Sequence, residues 1–91
     1  MSYADTRTGQ YEAHIEALAS LRADALDMTT AARHYHSLAD TIERIPSEGG
    51  QLFVEARADL ASMARDRAAV CTKASARLTA DADAMERKGL S

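Results

Sequence analysis

Ile45-Pro46-Ser47-Glu48-Gly49-Gly50 stands near the middle of a 91-residue chain that is otherwise almost free of helix-breaking residues. The whole sequence has four glycines and one proline, and three of these five fall in the hexapeptide. Proline disfavours helical geometry at the residue before it, so a helix arriving from the N-terminal side is expected to stop near Arg44. The glycine pair allows a reversal, and Ser47 or Gly50 can cap the helix that follows. The expected fold is therefore all-α: a single helical-hairpin domain over residues 1–91, with a helix at about 9–44, a turn at 45–50 and a second helix at about 51–88. Pro46, Ser47, Gly49 and Gly50 are the residues expected to shape the turn. Thr8-Gly9 is the expected start, with residues 1–7 frayed. Arg87-Lys88-Gly89 is the expected end, with cations at the negative pole of the helix dipole and glycine in a left-handed cap.

Composition supports helices and little else. Twenty of the 91 residues are alanine, the best helix former and a poor source of buried area. β-branched residues are too scarce for a sheet, which excludes a β-sandwich and a βαβ nucleotide fold. A single cysteine, Cys71, excludes a disulfide scaffold. The net charge of −3 argues against nucleic acid or an anionic membrane as the main partner. No apolar run approaches the roughly 18 residues of a membrane span, and the N-terminus lacks the basic and apolar stretches of a cleaved signal peptide. Secretion without a cleaved signal, or a cytoplasmic location, is the expectation.

Hydrophobic periodicity gives the packing. With Tyr11 as position a of a heptad, the a positions are Tyr11, Leu18, Ala25, Ala32 and Ala39, and the d positions are His14, Leu21, Met28, Tyr35 and Ile42. An apolar a/d pattern sustained over four to five heptads is the signature of a long packing helix. Ile15, Ala31, Leu38 and Ile45 widen the stripe beyond a two-stranded seam, which suits a bundle. In the second helix the large residues Phe53, Leu60, Cys71, Leu78 and Met85 are expected to share one face, with Met63 and Val70 beside that line. Leu21 and Leu60 are expected in the core. Two helices joined by a short turn must run antiparallel. A lone hairpin leaves much of each stripe wet while ordering costs on the order of 1.5 kcal/mol per residue. A dimer forming a four-helix bundle is therefore expected. Leu18, Leu21, Met28, Tyr35, Leu38, Phe53, Leu60 and Leu78 are the expected interaction residues.

The residues that carry chemistry elsewhere do not assemble into a motif here. His34 and His36 lie about 200° apart around a helix and cannot share a metal within one chain. Neither Glu-x-x-His nor His-Glu-x-x-His occurs, and Gly49-Gly50 lacks the spacing of a phosphate loop. Glu12 and Glu16 read as a solvated face, and acidic residues interleave Arg57, Arg65, Lys73 and Arg77. Cys71 has no histidine on its own helix and reads as a buried, inert thiol. The expectation is a protein without enzymatic activity, metal or cofactor.

Two long helices, a length near 90–100 residues and a central glycine-bearing turn resemble the WXG100 (ESX-type) family of type VII secretion. Ser47-Glu48-Gly49 stands where that family has Trp-x-Gly, and Phe53 follows the glycine by four residues. The tryptophan is absent, as is a C-terminal Tyr-x-x-x-Asp/Glu signal, since the last tyrosine is Tyr35. The resemblance implies a small secretion substrate or secretion partner that works as a helical homodimer or heterodimer with a second hairpin, with secretion machinery or a toxin as further partners. The rival expectation is a cytoplasmic adaptor or chaperone that masks an apolar helix of a client.

Overall fold

The computed structural model describes residues 3–46 and 50–89, with side chains from residue 9 onward. Two helices account for nearly all of it: α1, Tyr3–Glu43, and α2, Gly50–Gly89. They pack side by side as an antiparallel hairpin, and no strand occurs among the described residues. Its extents are 74 × 19 × 14 Å. The 41 residues of α1 alone span about 60 Å at 1.5 Å per residue. The radius of gyration is 21.1 Å, against roughly 12 Å for a compact domain of this length. The all-α hairpin expected from the sequence is thus the observed architecture.

The stop of α1 beside Arg44 is as expected, while the two outer helix ends depart from expectation. α1 begins at Tyr3, ahead of the expected Thr8-Gly9 start, because helix-compatible residues precede Gly9 and nothing blocks continuation. It ends at Glu43 in a tightened turn, with the amide of Arg44 donating to the carbonyls of Asp40 and Thr41 and that of Ile45 to Ile42. Pro46 has no amide with which to continue the ladder. The Arg57 guanidinium reaches across from α2 and donates to the Ile45 carbonyl, satisfying an acceptor left by the helix end. Gly50 opens α2 with φ of +76°, a left-handed conformation that a side chain disfavours. Ser47, Glu48 and Gly49 lie outside the described residues. Gly89 ends α2 without a positive φ, so the expected left-handed cap is absent. A Cβ on Gly89 would fall on the imidazole of His14, which makes its smallness, rather than its backbone freedom, the structural requirement.

The core is made of alanine. Ala25, Ala32 and Ala39 of α1 and Ala61, Ala64, Ala68 and Ala82 of α2 are the buried hydrophobic residues, and no large side chain is fully buried. For α1 this is the expected heptad frame: the a and d residues from His14 to Ile42 are all buried or half-buried. For α2 the frame is corrected. Its seam runs through Val54, Arg57, Ala61, Ala64, Ala68, Cys71, Ser75, Leu78, Ala82 and Met85, an unbroken alternation of four and three residues. Cys71, Leu78 and Met85 belong to the expected line. Leu60, expected in the core, is 54% exposed, and Phe53 sits beside the seam. The physical reason is the rotational phase of α2. With Ala61, Ala64 and Ala68 turned toward α1, Leu60 lies one residue off the seam and so falls on its flank.

One polar layer interrupts the seam. The hydroxyls of Thr29 and Ser75 lie 2.7 Å apart, and Ser75 also donates to the Ala25 carbonyl at 2.9 Å. Both groups are satisfied where an unpaired hydroxyl would be costly, and the layer pins one axial register between helices whose alanines could otherwise slide.

Candidate interaction surface

The two flanks of the seam differ in chemistry. On one flank, Arg22 of α1 bridges Asp83 at 3.1 Å and Glu86 at 2.5 Å. On the same flank Arg65 of α2 bridges Asp40 at 3.2 Å and Glu43 at 2.7 Å. Hydrogen bonds to these carboxylates, from Arg22 to Asp83 first and from Arg65 to Glu43 first, raise both guanidinium pKa values above the ordinary arginine value. Arg65 also places a cation over the last turn of α1, where Asp40 and Glu43 otherwise oppose the helix dipole. All these side chains are substantially exposed, so they set orientation and contribute little to stability.

The other flank is apolar, above all in the half nearer the turn. Ile42, Ile45, Phe53, Ala56, Arg57 and Leu60 line a groove between the helices. Leu38 is 40% exposed, Ile45 44% and Leu60 54%, and Met63 and Val70 project beside them at 61% and 63%. Aliphatic residues lifted clear of their own seam present a surface suited to other helices.

The expected interaction residues fall into two groups. Leu18, Leu21, Met28, Tyr35 and Leu78 are half-buried along the seam, where they pack the hairpin itself and show one edge. Leu38, Phe53 and Leu60 belong to the apolar flank. Pro46 is exposed at the turn end. Met63 and Val70 were legible only as neighbours of the large-residue line, because that line was placed on the seam. Once alanine is read as the seam, both emerge on the flank by their helical spacing from Leu60.

The titratable groups are scattered. His34 and His36 are exposed, with His34 edge-on to Tyr35 at a ring separation of 5.9 Å, and His14 is half-buried against the far end of α2. Among the described residues no group of three or more His, Cys, Asp or Glu side chains is placed to hold a metal ion. None of their helices is long and apolar enough to cross a membrane. Cys71 is a free, half-buried thiol on the seam. No family model, curated protein or solved structure matches this chain.

Proposed function

We propose that this chain is a non-enzymatic helical interaction module, a WXG100-like secretion substrate or secretion partner that docks against other helices. The observation carrying this reading is the division between an alanine seam and an outward-facing apolar flank. The residues buried in the seam are seven alanines, while Leu38, Ile45, Leu60, Met63 and Val70 remain 40–63% exposed. Exposed aliphatic residues aligned along a helix pair match the helix-against-helix mode of recognition. The hairpin's length and its glycine-bearing turn support the secretion setting, with Ser47 in place of the tryptophan of that family.

Purification of the tagged full chain from its native host tests this. A second helical hairpin or a secretion component should accompany it, be lost with Leu60→Glu and be retained with Glu48→Ala. A secretion ATPase gene beside its own would agree. Recovery of the chain with a single large client and no secretion component would favour the adaptor role. Recovery of the chain alone, with stoichiometric metal and turnover of a substrate, would overturn the reading.

A further inference from the structure

The ion pairs of the hairpin come in two matching sets. Arg22 of α1 holds Asp83 and Glu86 of α2, and Arg65 of α2 holds Asp40 and Glu43 of α1. A shift of 43 residues carries each α1 member onto an α2 residue of the same kind: Arg22 onto Arg65, Asp40 onto Asp83, Glu43 onto Glu86. This is the contact rule of a two-fold axis, in which the mates of two touching residues also touch each other. Other contacts obey the same shift. The Thr29 hydroxyl donates to the Ala25 carbonyl at 3.1 Å, and that of Thr72 to the Ala68 carbonyl at 2.9 Å. Ala25 and Ala39 of the α1 core become Ala68 and Ala82 of the α2 core. The α1 seam from His14 to Ile42 falls residue for residue on the α2 seam from Arg57 to Met85. At the helix ends, Arg57 reaches Ile45, and His14, its mate, lies against Gly89.

We infer that α1 and α2 are two copies of one helical unit of 43 residues, related by a two-fold axis that crosses the seam at Ala31 and Ala74. Laid over each other at this offset, residues 9–44 and 52–87 agree at ten of 36 positions. Four of the ten are alanine, which composition supplies; the other six include every member of the ion-pair sets. The large apolar residues by which a repeat is usually recognised are not among the matches. The offset is therefore legible only once the ion pairs are seen.

The two-fold separates what the hairpin needs from what it carries besides. Leu38, Leu60, Met63 and Val70 of the apolar flank have Asp81, Ala17, Ser20 and Asp27 as their mates, all exposed. The far half packs with small or polar residues at these positions, so the helix pair does not require aliphatic ones there. This cluster on the flank thus belongs to one half and occurs once per chain, on a scaffold that both halves share.

Thermal unfolding of the full chain, followed by circular dichroism at low protein concentration, tests the equivalence. Arg22→Glu and Arg65→Glu each set an anion against two carboxylates. Both should lower the melting temperature at low salt by the same amount, within about 2 °C, and both should recover in high salt. Leu38→Asp, Met63→Ser and Val70→Asp together give three positions of the turn half the residues of their mates. This variant should keep its helical signal and a single cooperative transition. His14→Arg should raise the melting temperature, because it gives the end of α2 the guanidinium that Arg57 supplies to the end of α1. Two arginine variants unequal by severalfold, a triple variant that no longer folds, or a fall with His14→Arg would each overturn the two-fold. None of these measurements involves a partner, so their failure would leave the interaction role untouched, and failure of that role would leave the two-fold standing.

Discussion

Replacing Ala68 by leucine should damage the hairpin more than removing most of the side chain of Leu60. Ala68 is fully buried, and Ala39, Ala61 and Ala82 are 0–2% exposed. An isobutyl group at Ala68, which has no exposure and lies between Ala64 and Cys71 on the seam, has to be accommodated inside the helix pair. The helices must separate locally, and because both are continuous through this region the strain spreads to the adjacent alanine layers. Overpacking of a well-packed core costs about 1–3 kcal/mol, and the rigidity here points to the upper end. Leu60→Ala removes a side chain that is 54% exposed. Full burial of leucine is worth about 1.5–3 kcal/mol, so less than half of that, on the order of 1 kcal/mol, is at stake in one hairpin. A core leucine would cost about 2–5 kcal/mol. Urea unfolding followed by circular dichroism, repeated at several protein concentrations and extrapolated to low concentration, isolates the hairpin from any association. If Leu60→Ala is then the more damaging substitution, large residues and not alanines form the seam, and the account of the core given above fails.

Gly50→Ala should destabilise by about 1–2 kcal/mol in the same assay, because φ at this position is +76° and a Cβ disfavours it although space is open. Gly9→Ala should stabilise by up to about 1 kcal/mol, since Gly9 is helical with nothing within 4 Å of an added Cβ; a loss of stability would mean that α1 does not extend through it. Arg22→Ala should lower the melting temperature only slightly at low salt and hardly at all at high salt, because its bridges to Asp83 and Glu86 are exposed; a large, salt-insensitive loss would contradict a merely orienting role.

The sequence by itself determined the hairpin. Pro46 and the glycine pair are local chemistry: a missing amide and a freed φ act wherever they stand, so the break between the helices is legible without tertiary information. The heptad of α1 was equally legible, since Leu18, Leu21, Met28 and Tyr35 differ in size and polarity from the residues around them. The seam of α2 was not. Eleven of the twenty alanines lie in that helix, on every side of it, and alanine serves equally as a buried spacer or an exposed helix former. Ala61, Ala64 and Ala68 are core because the face of α2 that carries them is the one turned toward α1. Leu60, one residue from Ala61, falls on the flank for the same reason, and Met63 and Val70 lie on the same side by helical spacing. The position of Arg65 over the end of α1, and of Arg67 on the opposite flank, likewise depends on which face of α2 turns inward. A helix can bury any of its faces, and only packing against a particular neighbour selects one.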